Sequence, residues 1–451
     1  MNIEIHGAFL NAVLADSSYQ TSLIKGDTGD VLSSKVKVIL TDRLATYVGT
    51  NFRVVDQWTD PSSSGFSVTI FEEKGTGRKY VSFRGTEKTD SRDWFTDANA
   101  YVGSGLAQSQ ILAMVNWYLR ANAPLGIPVV QYSDAGGGVL RDTGLGLGDG
   151  SLYNAGPLMV DGHSLGGHLT TVFSRLFGNR VLNSFTYNGL GVGRVFPESY
   201  ISNVENSLSL GVTTWPDAVK QKNYYAEHGI NVATTDGWLS QKGQRIPVFN
   251  EEGTTFPNHS MYKLTDALAL ADVMGTLDEN LSLASVTALL NAGSAQPASS
   301  LENVLDGLRK VFLNQTNSTQ IGDAGDATAA RTDYHTKLDA LRTYAVTNPN
   351  RYRFESLLSK SAATLKTLAI DGDGTAGSAL AYRYALRELN PFAILGADYT
   401  AHNADGALDL YDEATGTGEL SALWLADRAA LLTWRLRANT DDIAPVGGTI
   451  R

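Results

Sequence analysis

The stretch that most constrains this chain is Val160-Asp161-Gly162-His163-Ser164-Leu165-Gly166-Gly167, which holds a Gly-x-Ser-x-Gly pentapeptide. The apolar run Pro157-Leu158-Met159-Val160 precedes it, and the periodic segment Leu169 to Leu176 follows it. Strand, sharp turn and helix in that order put a serine on a strained backbone with its hydroxyl presented outward. The flanking glycines carry no Cβ, so strand and helix can close beneath the turn. The following helix directs its N-terminus at whatever the serine attacks, and the Leu165 amide is placed to donate to a developing oxyanion. In a chain with 45 glycines a chance match in a loop is the competing reading. The strand before and the helix after weigh against it.

At 451 residues the chain exceeds what one hydrophobic core usually supports, so two domains, or one with a large appendage, are expected. Its hydrophobic content of 43% is that of a folded globular protein. No run of 18 or more apolar residues is present, so no transmembrane helix is expected. Met1 to His6 lacks a basic start and an apolar core, which predicts no Sec-type signal peptide. A formal charge of −11 argues against nucleic-acid partners and against adhesion to anionic lipid by charge. Cysteine is absent, which excludes disulfides, thiolate metal sites and cysteine nucleophiles.

Patterning predicts an opening helix with Phe9, Val13, Leu14 and Tyr19 on one face and a second helix around Val36 to Tyr47. Strands are expected over Phe52 to Trp58, Gly65 to Glu73 and Lys79 to Phe83, with Gly75-Thr76-Gly77 turning between the last two. A helix follows from Ala107 to Arg120. The glycine-rich stretch from Ser133 to Asn154 reads either as a surface hairpin or as a flap near the site. Further strands are expected at Val181 to Tyr187, Lys222 to Ala226 and Arg245 to Phe249, and a helix at Ser260 to Met274. Strands alternating with helices imply a mostly parallel central sheet covered on both faces, an α/β fold. Beyond about 278 the segments Leu281 to Leu290, Leu301 to Val311, Ala330 to Val346 and Ala422 to Arg437 read as helices with no clear strand order. The expected division is therefore 1–277 and a mainly α-helical region 278–451.

A nucleophilic serine needs a base. Of seven histidines, His163 adjoins the serine and its side chain leaves the turn in another direction, and His168 lies one turn into the next helix. His6, His335 and His402 belong to other regions. His228 and His259 remain. His259, in Pro257-Asn258-His259-Ser260, sits where a loop becomes a helix, after the last sheet strand. Loops at strand C-termini gather the active groups of an α/β sheet, so His259 is the candidate base. The acid must project from a loop directly after a strand. Glu227 does so, with Gly229 turning the chain away; Asp236 after Ile230-Asn231-Val232-Ala233 is the alternative.

Tyr80-Val81-Ser82-Phe83-Arg84-Gly85-Thr86, taken with Gly162-His163-Ser164-Leu165-Gly166-Gly167, resembles the fungal-type (class 3) lipase family of the α/β-hydrolase superfamily and related bacterial lipases. Members carry a Phe-Arg-Gly-Ser/Thr strand end followed by a Trp and an Asp, and here Asp93-Trp94-Phe95-Thr96-Asp97 follows. The resemblance covers about residues 1 to 275. It implies an α/β-hydrolase fold, Thr86 and Leu165 as oxyanion-hole donors, and Arg84 with Asp97 as a buried structural pair. Three departures stand out: Asp161 occupies a position usually uncharged, Glu227 stands where Asp is common, and acid and histidine are close in sequence. The helical C-terminal region has no counterpart in the small fungal enzymes. It is more similar to secreted bacterial proteins that carry a lipase-like unit, which implies secretion without an N-terminal signal; composition suits the cytosol equally.

The expected function is that of a serine carboxylic-ester hydrolase of lipase type, with Ser164, His259 and Glu227 (or Asp236) as triad. Its substrate would be a lipid or other acyl ester, met in transient contact with a lipid interface. Rival expectations are a phospholipase A1, thioesterase or acyltransferase on the same triad, or a catalytically inactive lipase-like binding module. The chemistry requires no cofactor. Asp371-Gly372-Asp373-Gly374 and Asn403 to Asp409 read either as calcium loops or as ordinary Asp-Gly turns. No histidine pair has zinc spacing.

Overall fold

Runs of buried apolar and β-branched residues build the second and third strands of the sheet, and the turn Gly75-Thr76-Gly77 connects them. The computed structural model of the chain describes residues 1–62, 64–85, 107–193, 197–229, 239–251, 258–294, 299–321 and 329–440. Helices α1 (Ile3–Ser17), α2 (Gly29–Val36) and α3 (Asp42–Asn51) lead into β1 (Phe52–Thr59), β2 (Ser67–Glu73) and β3 (Lys79–Phe83). The single helix expected over Val36 to Tyr47 is two. Thr41 is extended (φ −70°, ψ 161°) and opens a new helix at Asp42; a β-region residue of this type is a helix N-cap. Next come α4 (Gln108–Ala121), β4 (Pro128–Asp134), β5 (Leu140–Leu147), β6 (Leu158–His163), α5 (Leu165–Leu176) and β7 (Val181–Tyr187). They are followed by β8 (Val192–Gly193), α6 (Pro197–Ser207), β9 (Gln221–Ala226), β10 (Leu239–Ser240) and β11 (Gln244–Val248).

The main sheet has seven strands in the order β1-β2-β3-β6-β7-β9-β11. β1, β2 and β3 form an antiparallel meander. From β3 through β6 and β7 to β9 the pairing is parallel, with Phe83 opposite Gly162, His163 opposite Tyr187, and Tyr187 opposite Tyr224. This is a mostly parallel sheet with helices between its strands, an α/β fold. The C-terminal ends of β3, β6, β7 and β9 therefore share one edge, where an α/β sheet assembles its chemistry. One face of the sheet packs Val81, Phe83 and Val160 with Trp117, Leu169 and Phe173 into a closed core. The glycine-rich stretch forms the antiparallel hairpin β4–β5, the first of its two expected forms. Its bend needs left-handed backbone at Gly136, Gly137 and Gly138.

Two compact units are distinguishable: Leu10–Pro247 with Gly253–Thr265, and Met1–Phe9 with Val248–Glu252 and Asp266–Arg451. The observed division thus differs from 1–277 and 278–451. The first nine residues and the segment from Asp266 group with the C-terminal helices, because contacts rather than sequence order define a unit.

The second unit takes α7 (Met261–Leu277) from Asp266 onward, followed by α8 (Leu283–Gly293), α9 (Ser300–Leu313) and α10 (Ala329–Thr347). β12 (Arg353–Ser356), α11 (Ala362–Asp371), α12 (Ser378–Glu388), β13 (Phe392–Leu395) and α13 (Ala422–Thr440) complete it. Ser282 and Ser361 cap α8 and α11 by accepting the Ser285 and Thr364 amides. The strands β12 and β13 pair antiparallel, a feature sequence periodicity did not disclose. Four residues each are too few to carry a pattern, and what holds them includes an edge-on ring pair, Phe354 against Phe392.

The charged centre of this unit is Asp266. Arg331 donates to it from Nε at 2.8 Å and from Nη2 at 2.8 Å, and His335 Nε2 lies 2.6 Å from it. All three are 2% exposed, so no water screens the pair. Burial alone would raise the Asp266 carboxyl; Arg331 and His335 outweigh it and hold it down at about 2. Asp266→Asn leaves the guanidinium buried without its counter-charge and is expected to cost about 3–5 kcal/mol at pH 7, read by urea unfolding. A carboxyl depressed below its ordinary 3.8 stabilises the fold above that pH, and the contribution disappears as pH falls through about 2.

Candidate active site

Ser164 occupies the single residue between β6 and α5, with φ 58° and ψ −124°. A non-glycine residue there is strained, and the neighbouring backbone holds it in place. Its amide donates to the Tyr187 carbonyl at 3.0 Å, and its carbonyl accepts from Gly167 and Leu190, each at 3.0 Å. The glycines are required by contact. A Cβ on Gly162 would strike the Gly166 carbonyl, and one on Gly166 would strike the Phe83 carbonyl. A Cβ on Gly85 would lie 3.2 Å from Ser164 Cβ, so the strand end carrying Phe83-Arg84-Gly85 lies directly against the nucleophile turn. Ser164 Oγ is buried and accepts or donates no hydrogen bond among the described residues. Leu165 is the first residue of α5. Its amide is one of the orphan donors of a helix start and lies beside the serine.

His259 comes to this turn through its main chain. Its carbonyl accepts from His163 Nε2 at 2.8 Å and from Asn188 Nδ2 at 3.0 Å. The His163 and His259 rings stand 4.9 Å apart between centroids. Glu227 follows β9, the strand beside β7, as expected; its carboxylate is 32% exposed and lies 3.9 Å from His228 Nε2. Thr86, Asp97 and the alternative acid Asp236 lie outside the described residues, and so does the loop after Thr86. Arg84 is buried at 8%, and its amide donates to the Ser67 carbonyl.

His168 is structural. Its Nε2 accepts from the Ala107 amide at 3.3 Å, so the proton is on Nδ1, which donates to the Gly191 carbonyl at 2.9 Å. Burial pushes its pKa down to about 4, and the ring is neutral in water at ordinary pH. Asn188 is a site residue that sequence reading overlooked. It was visible only as the Asn-Gly ending β7, and its left-handed backbone (φ 42°) is what that dipeptide favours.

One carboxylate in each Asp-Gly loop has protein partners. Asp373 accepts from the Thr375 amide at 2.9 Å and from Arg353 Nη2 at 2.6 Å, and Asp409 accepts from Asn403 Nδ2 at 3.0 Å. Among the described residues no three His, Asp or Glu side chains converge as a metal site, and no helix is long and apolar enough to cross a membrane.

No family model matches the chain, and no curated protein matches it. Solved structures similar to it include the Lip2 lipase of Yarrowia lipolytica, 18% identical, covering 55% of this chain and 80% of that one at a TM-score of 0.28. A fungal lipase is 13% identical over 58% of this chain and 84% of its own, at 0.30. A mutant form of MDLA from Penicillium cyclopium is 14% identical over 56% and 83%, also at 0.30. Likeness at this level says nothing about chemistry.

Asp161, three residues before Ser164, is fully buried, and neither carboxyl oxygen has a hydrogen-bond partner among the described residues. Burial raises its pKa well above the ordinary 3.8; the Ser82 hydroxyl on the paired strand opposes this in a contact short of a well-formed hydrogen bond. The folded chain therefore holds a proton that the unfolded chain releases, and stability falls as pH climbs above 3.8. Asp161→Asn removes that penalty. The variant is expected to gain on the wild type by up to about 1.4 kcal/mol per pH unit above that value, with the gap closing below pH 3.8 in urea titrations.

Proposed function

We propose that this chain is a serine carboxylic-ester hydrolase of lipase type, acting on acyl esters of lipids. The observation that carries this reading is Ser164 itself: a non-glycine residue held left-handed at a strand-to-helix turn, with a helix-start amide beside it. Such strain persists only where the surroundings enforce it, and it clusters at functional sites.

In this reading Ser164 Oγ attacks the ester carbonyl carbon while His259 takes its proton. The carbonyl π pair moves onto oxygen, and the amides of Leu165 and Thr86 receive the oxyanion; each such donor is worth about 10²–10³ in turnover. The tetrahedral centre collapses, the alcohol leaves with the proton from His259, and the acyl group remains on Ser164. Water then repeats the sequence, with His259 again as base, and releases the acid. Glu227, with Asp236 as alternative, orients the imidazole and stabilises its charged form. The position of His259, beside the turn through a main-chain bond to His163, supports its role as base.

Ser164→Ala is expected to lower kcat on a short p-nitrophenyl ester by about 10⁶-fold with the circular dichroism spectrum unchanged. A fluorophosphonate probe should label the wild type and leave Ser164→Ala unlabelled; labelling of both removes Ser164 as nucleophile. Glu227→Gln and Asp236→Asn, assayed separately, identify the acid as the one whose loss lowers kcat. A panel from short p-nitrophenyl esters to triolein and phosphatidylcholine defines the acyl substrate.

A further inference from the structure

His163 is buried beside the nucleophile, and both of its ring nitrogens are used. Nε2 is 2.8 Å from the His259 carbonyl oxygen and Nδ1 is 2.8 Å from Tyr19 Oη. A carbonyl only accepts, so Nε2 carries the proton and donates. A neutral imidazole with its proton on Nε2 has a lone pair on Nδ1, so the Tyr19 hydroxyl donates there. The chain of donors runs Tyr19 O–H to His163, then His163 N–H to the His259 carbonyl. The same carbonyl also accepts from Asn188 Nδ2 at 3.0 Å, which fills both of its lone pairs. Asn188 Nδ2 lies 3.2 Å from the Asn258 carbonyl as well, and Asn188 Oδ1 accepts the Ala226 amide at 2.9 Å, one residue before Glu227.

We propose that His163 and Asn188 are positioning residues: they set where the His259 imidazole stands by clamping its main-chain carbonyl, and Tyr19 fixes the tautomer that lets His163 donate. The proposal rests on the reading of Ser164 and His259 as nucleophile and base. A side chain at the head of a helix can pivot with its backbone, and a shift of about 1 Å in a reacting group can cost about 10²-fold. Two donors on one carbonyl remove that freedom. A neutral donor suits the task because His259 becomes an imidazolium during turnover, and a charged ring 4.9 Å away would oppose it. Burial, followed by the charge of His259, keeps His163 neutral, with a pKa pushed down to about 3.

The test uses the full chain, a short p-nitrophenyl ester, kcat and KM measured separately, and the thermal midpoint. Ser164→Ala and His259→Ala come first: about 10⁴-fold or greater loss of kcat in each upholds the underlying reading, and survival of activity in either overturns it without reference to His163. His163→Ala is then expected to lower kcat about 10- to 100-fold with KM within about twofold. His163→Gln places an amide donor near Nε2 and is expected to recover most of that loss. Tyr19→Phe removes the donor to Nδ1 and is expected to lower kcat about 3- to 10-fold. The clamp is overturned if His163→Ala melts as the wild type and keeps its kcat, or if Gln is no better than Ala. Should His163→Ala fail to fold, an unchanged kcat in Tyr19→Phe overturns the clamp and a lowered kcat at unchanged KM supports it.

Discussion

The site depends on one backbone crossing, in which the turn bearing Ser164 passes so close to the end of β3 that no Cβ fits at Gly166. The surroundings of Ser164 are arranged around that approach. The serine is forced to positive φ, α5 starts immediately after it, and the strand end that leads to Thr86 is brought against its Cβ. The strain at Ser164 is balanced by hydrogen bonds at its own amide and carbonyl, which tie it to β7 and to Leu190. A residue locked in this way has little conformational freedom.

Around the turn the protein buries several polar groups in neutral form. His163 and His168 are both kept neutral by desolvation, and each spends its two nitrogens on one donor and one acceptor. Asp161 follows the same pattern: burial favours the neutral form of this carboxyl beneath the site, and no hydrogen-bond partner meets it among the described residues. The unit containing the C-terminal helices solves the same problem with opposite means. Asp266 is buried as an anion, and Arg331 and His335 come with it. Desolvation acts on both aspartates; the presence of the guanidinium decides which way the carboxyl titrates.

Much of the first two hundred residues was legible because their signals are local. Lys79 to Phe83 and Val181 to Tyr187 match their strands to the residue, since β-branched and aromatic runs with a glycine two positions beyond leave few alternatives. The strand–turn–helix around Ser164 was legible for the same reason. Where a signal was short or depended on partners, reading failed. The apolar stretch across Val36 to Tyr47 concealed a helix break at Thr41, and β12 and β13 exist only because each covers the other. Tyr19 looked like one more apolar position on the opening helix. The helix stops at Ser17, and its hydroxyl is spent on a histidine 144 positions away.

By itself the sequence determined the elbow: glycines where a Cβ would collide, a serine between them, and a helix directly behind. Those are contacts within a few residues, and residue type dictates them. It also set the strand that leads to Thr86 and the candidate base at His259. The tertiary structure alone decided how the His259 main chain is held. Two side chains converge on one carbonyl, His163 from the elbow and Asn188 from the end of β7, and Tyr19 stands behind His163. Hydrogen bonds spanning 71 to 144 positions leave no periodicity to detect. The same holds for the proton on Asp161, since a carboxyl's ordinary value belongs to water and only the packed interior removes it.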